Sequence, residues 1–301
     1  MTKTVLILGG RGKIGSHSAR AFGEAGWEVR LYDRATEDMK AAAKGADVII
    51  NGLNPPNYHN WGEIIPTLTA QVIAAAKSSG ATVIIPGNVY NFGVETAPWD
   101  ENTAQVPCSR KGRIRVDMEA AYRASGVQTI MLRAGNFLDP MSEDDIGSLV
   151  LFKSISKGKL GYPGDPRVEQ AYCFVPDWAR AAVGLAEIKA QLERFEDVPL
   201  GGLNHSAKEI AAAVSRLTGK DIRIAGFPWW ALRLTSPVWE LAREMLEMRY
   251  LWSHPHGLSD RRLRQLLPGF QATPLEDVLA ALIPSEVNPN HAMPTARRVA
   301  V

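Results

Sequence analysis

The chain has 301 residues, 46% of them hydrophobic and 22% charged, with a net charge of +2. This is the make-up of a soluble globular protein of about two domains, and so small a net charge provides no field that would gather nucleic acid or acidic lipid. Two cysteines, Cys108 and Cys173, make no disulfide framework, which fits a reducing cytoplasm.

The first segment carries only Lys3 as a charge, and glycine ends its apolar run after a few residues. Neither a secretory leader nor a membrane span is expected, and the protein is expected in the cytoplasm. Val5-Leu6-Ile7-Leu8 reads as a buried strand and runs into Gly9-Gly10-Arg11-Gly12-Lys13-Ile14-Gly15, after which Ser16 to Ala25 reads as a helix. Strand, glycine loop and helix in this order form a phosphate cradle. One glycine turns the chain, one lets the backbone approach a pyrophosphate, and one lets helix and strand pack closely. The anion then rests on the helix N-terminus, where N–H groups and the helix dipole favour it. Trp27 to Tyr32 reads as a second buried strand ending in Asp33, placed to accept the hydroxyls of an adenosine ribose. The expected ligand is a dinucleotide.

Asp47 to Ile50 reads as a third strand, and the loop Asn51-Gly52-Leu53-Asn54-Pro55-Pro56 that leaves it should lie by the cofactor. A helix is expected over residues 64 to 79, closed by Gly80, then a strand from Thr82 to Ile85 that ends at Pro86-Gly87-Asn88-Val89-Tyr90. Residues 95 to 107 are polar and proline-punctuated, as in a loop that covers a site. Lys111 to Ser125 reads as a helix and Thr129 to Leu132 as a strand, followed by Arg133-Ala134-Gly135-Asn136-Phe137. Six such alternations predict a parallel sheet covered on both faces. Beyond Asp139 the expectations are a helix over 142 to 157, a glycine- and proline-rich loop over 158 to 167, and a strand over 171 to 175. They continue with a helix opened by Pro176-Asp177-Trp178-Ala179-Arg180, and with one from the capping box Ser206 to Glu209 to Leu217. A strand over 222 to 225 and a tryptophan-rich helical region over 227 to 252 follow. The tail from Ser285 reads as disordered or pinned to a partner subunit.

These residues resemble the short-chain dehydrogenase/reductase superfamily, in its extended or atypical branch of NAD-dependent epimerase/dehydratase-like proteins. The resemblance rests on Gly9, Gly12 and Gly15, on Asp33, on the Val48 to Pro55 loop, on Val89-Tyr90, on Arg133 to Phe137 and on the Pro176 to Arg180 helix start. It implies a sheet of about seven strands in the order 3-2-1-4-5-6-7, and a catalytic serine or threonine with a tyrosine and a lysine four residues apart. Here the serine position falls on Pro86, the tyrosine position on Lys111 and the lysine position on Arg115. The segment Lys111, Arg115, Glu119 is similar to isoflavone-reductase-like and NmrA-like members, in which a lysine at this place serves as acid/base.

The expected fold is thus α/β, a Rossmann-like doubly wound parallel sheet over residues 1 to 138. A smaller, mainly helical substrate-covering part spans 139 to 284, with some segments returning to the sheet, and the tail spans 285 to 301. The cofactor is expected to be NAD(P), held by Gly9, Arg11, Gly12, Lys13, Ile14, Gly15, Asp33, Arg34, Asn51, Leu53, Asn54 and Asn136. Arg11, Lys13 and Arg34 suit the extra phosphate of NADP, whereas Asp33 repels it, and the balance falls to NAD. Lys111 and Arg115 are the catalytic candidates, and Asn88, Tyr90 and Phe137 the substrate-side ones. Trp229, Trp230, Trp239 and Trp252 fit either a helical core or an apolar pocket. No metal is expected, because His254-Pro255-His256 has no partner ligands nearby in sequence. Three functions are compatible with this set: an oxidoreductase or epimerase-like protein acting on a small carbonyl or hydroxyl compound, a non-catalytic NAD(P)-sensing regulator of the NmrA kind, and a nucleotide-sugar epimerase with non-standard residues. A small-molecule substrate is the expected partner, without nucleic acid or membrane, and a homodimer is allowed.

Overall fold

The computed structural model describes residues 2–284 together with Glu286 and Val287. Apart from Glu286 and Val287, the tail read from Ser285 onward falls outside those residues. In chain order the elements are β1 (Thr4–Leu8), α1 (Lys13–Glu24), β2 (Glu28–Tyr32), α2 (Met39–Ala43), β3 (Val48–Asn51), α3 (Trp61–Ser79), β4 (Thr82–Gly87), α4 (Arg110–Ser125), β5 (Thr129–Arg133) and β6 (Asn136–Leu138). They continue with β7 (Lys159–Tyr162), β8 (Glu169–Phe174), α5 (Val175–Glu187), β9 (Phe195–Pro199), β10 (Asn204–Ser206), α6 (Ala207–Thr218), β11 (Arg223–Gly226), α7 (Trp229–Thr235), α8 (Glu240–Glu247), α9 (Arg261–Leu266) and α10 (Leu275–Leu282).

The main sheet has six strands in the order β2-β1-β3-β4-β5-β9, all parallel. Every residue of β1, β3 and β5 is buried, because a central parallel strand is covered on both faces. The pleat divides them: Val5 and Ile7 pack with Phe22 and Trp178 under α1 and α5, while Leu6 and Leu8 pack with Trp61 and Tyr122 under α2, α3 and α4.

Two expectations about the sheet are corrected. It has six strands, not seven, and β3 lies beside β1 rather than outside β2. Residues 33 to 47 hold only turns and the five-residue α2, too little for a further strand with its return crossover, so β2 stays at the edge, where its residues are exposed or half-buried rather than buried as expected. Because β1 and β3 are neighbours whose connections leave on opposite faces, the topological switch point lies between their C-terminal ends. Leu8 is paired with Asn51 there.

The helix expected over 142 to 157 is also absent. A π-helical turn (Gly147–Leu151) and a 3-10 turn (Ile155–Lys157) take its place. Ser142, Asp144, Asp145 and Ser148 bond to nearby backbone and to one another, the local competition that keeps such residues out of helix interiors. The capping box of Ser206 and Glu209 forms as read, and the region 227 to 252 is divided into α7 and α8 at Trp239, whose backbone is extended (φ −120°, ψ 109°). After β5 the chain builds a second core, in which β7, β8, α6 and α10 enclose Leu151, Tyr162, Tyr172, Phe174, Ile210 and Leu279. It also returns β9 and α5 to the main sheet.

Candidate active site at the sheet switch point

Gly9 leaves β1 with φ 79°, and Gly12 N–H donates to its carbonyl (2.9 Å), closing a tight turn. A Cβ on Gly15 would collide with the Gly9 carbonyl, and one on Gly52 would come within 2.9 Å of the Leu8 carbonyl. The glycine loop, α1 and the loop after β3 therefore pack backbone to backbone. Gly12 is different: a Cβ there would meet only the Gly9 carbonyl, at 3.3 Å, and otherwise open space. Gly12 is also the N-cap of α1, where no side chain caps the helix and no acid stands in the first turn. The result is a set of backbone donors beside free space, the arrangement that receives an anion.

The flanking residues divide. Arg11, Asp33 and Arg34 are exposed, and the Asp33 carboxylate accepts from Ala35 N–H (2.9 Å). Ile14 is buried in the core and can give the ligand only its backbone. Lys13 is drawn away to the Asp144 carboxylate (2.7 Å) and carbonyl (3.2 Å), and its hydrogen bond holds the Asp144 carboxyl below its ordinary range.

Further along the crevice, buried Asn51 donates to the Tyr122 hydroxyl (3.1 Å) and accepts from Leu53 N–H (3.2 Å). Asn54 accepts from the Arg115 guanidinium (2.8 Å), which lies 4.5 Å over the Trp61 ring. Arg115 Nε is buried without a partner, and burial lowers the guanidinium pKa. Asn136 Nδ2 is likewise buried and unpartnered, so both groups fit a polar ligand in this crevice.

Lys111 is wholly buried. Its ammonium donates to the Glu247 carboxylate (2.6 Å) and the Glu244 carbonyl (3.1 Å), and it is also paired with the Glu244 carboxylate. The other Glu247 oxygen takes the Lys111 backbone N–H (2.9 Å). Burial opposes the charge on Glu247, yet these bonds hold its pKa below the ordinary value. Beside this latch stands Tyr58, whose ring lies 5.1 Å from the Lys111 ammonium and whose hydroxyl is 3.2 Å from that of Tyr90. Burial raises the pKa of both phenols. Asn57, Tyr58 and Asn60 all have positive φ without being glycine, a concentration of backbone strain at the crevice rim.

Asn88 caps the turn after β4, its side chain accepting from Tyr90 N–H (3.0 Å) and its carbonyl from Arg133 (2.7 Å). Phe137 packs against the core under α1 and α5. Arg133 is fully buried between Glu119 of α4 (2.9 and 3.0 Å) and Asp197 of β9, and these carboxylates overcome the burial cost to raise its pKa. A cavity of about 410 Å³ opens beyond Glu119 on the outer side of α4, away from the glycine loop.

The structure thus brings Gly9, Gly12, Gly15, Asn51, Leu53 and Asn54 together at the switch point, and Lys111, Arg115 and Tyr90 further along it. Tyr58, Glu244 and Glu247 are at the same place and were not read from the sequence. The three-residue spacing of Glu244 and Glu247, which puts both on one helix face, was the available signal. His256 has a structural role: its Nδ1 accepts from Ala171 N–H (3.2 Å), its ring stacks on Trp99, and burial pushes its pKa down to about 3. Among the described residues no cluster of metal-binding side chains occurs.

No protein-family model and no curated protein matches this sequence. Solved structures do. UDP-glucuronic acid 4-epimerase from Bacillus cereus, in complex with UDP-glucuronic acid and NAD, is 15% identical, with a TM-score of 0.72 over 96% of this chain and 98% of that one. UDP-glucose 4-epimerase from Brucella ovis in complex with NAD is 20% identical, with a TM-score of 0.70 over 93% and 97%. A nucleoside-diphosphate-sugar epimerase from Staphylococcus aureus is 20% identical, with a TM-score of 0.63 over 92% and 98%. What this chain shares with them is the fold. The extended-branch resemblance read from the glycines and strand ends is thereby borne out as architecture, across nearly the whole chain. No described helix is long and apolar enough to cross a membrane.

Proposed function

We propose that the chain is an NAD(P)-dependent, epimerase-like oxidoreductase acting on a small carbonyl or hydroxyl compound. The observation that carries this reading is the uncapped start of α1 at Gly12, open to a ligand and set at the switch point of a fold shared with NAD-bound epimerases. Gly12 and the first turn of α1 would hold the pyrophosphate and Asp33 the adenosine ribose. Asn51, Leu53, Asn54 and Asn136 would line the nicotinamide half, with Asn88, Tyr90 and Phe137 on the substrate side. When bound, the nicotinamide supplies the hydride donor or acceptor. Lys111 would exchange the substrate proton, held in position by Glu244 and Glu247, with the Arg115 guanidinium one turn away. The neighbours' own ligands make a nucleotide sugar the first substrate class to try.

A second reading, an NAD(P)-sensing regulator without turnover, is favoured by one observation: the Lys111 ammonium is committed to three acceptors. Titration with NADH and NADPH, read by fluorescence, tests the shared premise, and binding of neither sinks both readings. A panel of carbonyl compounds and nucleotide sugars then separates them, since a sensor turns over nothing.

A further inference from the structure

Exposed apolar side chains scattered singly need no explanation, but here four gather within ten residues: Trp230 (68% exposed), Leu234 (73%), Val238 (90%) and Trp239 (46%). Their orientation is fixed from behind. The Trp229 indole N–H donates to the Pro163 carbonyl (2.6 Å) and Leu232 is buried, which turns Trp230 and Leu234 outward. Helical bonding runs on past α7, from Ser236 N–H to Leu232 (2.9 Å) and from Trp239 N–H to Thr235 (3.0 Å), so Val238 extends the same stripe. Arg223 is paired with Asp221 (3.5 Å), and from residue 224 to 239 the one charged residue is Arg233. Exposed Arg243 stands behind, donating to the Ser236 carbonyl (2.9 Å), and the nearest acid, Glu240, is held by His59 (2.8 Å).

We propose that this tip docks on an anionic lipid surface. The four apolar side chains are edged by the cations Arg233 and Arg243, a charge pattern complementary to acidic headgroups. A lipid interface asks for no more than this: apolar side chains at shallow depth, tryptophans at headgroup level and arginines facing acidic headgroups. It adds a peripheral contact to a chain whose net charge gave no reason to expect one.

The full-length protein is sedimented with vesicles of phosphatidylcholine alone and with about 30% phosphatidylserine added, a range in which surface potential attracts arginine. The expected result is at least about fivefold more binding to the anionic vesicles, falling as salt is raised, with a blue shift of tryptophan emission. Trp230→Ser with Val238→Ser should lower that binding by about tenfold or more, both side chains having left water in the bound state. Both positions are exposed, and an unchanged circular dichroism spectrum and melting temperature establish that the variant is folded. Binding to neither vesicle, or binding unmoved by the double substitution, overturns the proposal. So does a solution dimer dispersed by the same pair, which assigns the tip to a second copy of this chain.

Discussion

The N-termini of α1 and α4 face the same crevice and are built in opposite ways. α1 starts at a bare glycine, its first-turn donors uncapped beside open space. α4 starts at Ser109, whose hydroxyl accepts from Gly112 N–H (3.0 Å), while Glu247 takes both the N–H and the ammonium of Lys111. One end is prepared for a ligand to complete it, and the other has been completed by the protein itself. The family resemblance read from the sequence divides the same way, with the glycine loop present and the serine and tyrosine positions occupied by Pro86 and Lys111.

The largest effect that can sharpen this contrast is at Lys111. If it is the acid/base group, Lys111→Ala should slow turnover by a factor of about 10²–10⁴. It should also cost about 3–5 kcal/mol of stability, because two carboxylates lose their cation. Adding Glu244→Gln and Glu247→Gln should return much of the stability and none of the rate. A variant as fast as the wild type removes Lys111 from the chemistry. At the other helix, Gly12→Ala should leave the melting temperature nearly unchanged and weaken NADH by about tenfold or more, whereas Gly15→Ala should lower both, at a cost of about 1–3 kcal/mol or more from the enforced overlap. Undiminished binding by Gly12→Ala, measured by fluorescence titration, would mean the phosphates lie elsewhere.

Two smaller effects follow. Asp33→Ala should narrow the NADH over NADPH preference several-fold by removing the charge that repels a ribose phosphate, and an unchanged ratio would detach that strand end from the adenosine. The buried neutral His256 provides a pH signature. Its folded pKa of about 3 lies below the ordinary 6.5, so the unfolded chain binds the extra proton between these values and stability falls as pH drops through that window. The slope approaches about 1.4 kcal/mol per pH unit for one proton. Urea midpoints from pH 7 to 5 should show it, and His256→Asn should flatten it.

How much of this was legible follows from where the information lies in the chain. β1, β3, β4 and β5 contain continuous apolar runs and the glycine loop is a local pattern, so these could be read directly, whereas β2 interleaves Glu28 and Arg30 with apolar residues. β9 could not: its Glu196 and Asp197 look like loop residues until Arg262 (2.8 Å) and Arg133 are seen to neutralise them. β7 was hidden in a glycine- and proline-rich stretch because its partner β11 lies some sixty residues further on. The strand order was taken from the resemblance, and the shortness of residues 33 to 47, visible from the start, overrides it. In the site, Lys111 was identifiable by position, but its partners Glu244 and Glu247 are 133 and 136 residues away in sequence, and no local spacing announces a contact of that range.

The Arg133 cluster has a mechanical consequence. One guanidinium joins the middle of α4, the edge strand β9 and the turn after β4, so the wall carrying Lys111 and Arg115 is clamped to the sheet. The facing helix, α8, is joined to that wall through Glu244 and Glu247, which pair with buried Lys111 and with Arg110. Separating α8 from that wall would break both carboxylate contacts of Lys111, whereas α4 itself is tied to the sheet independently through Arg133.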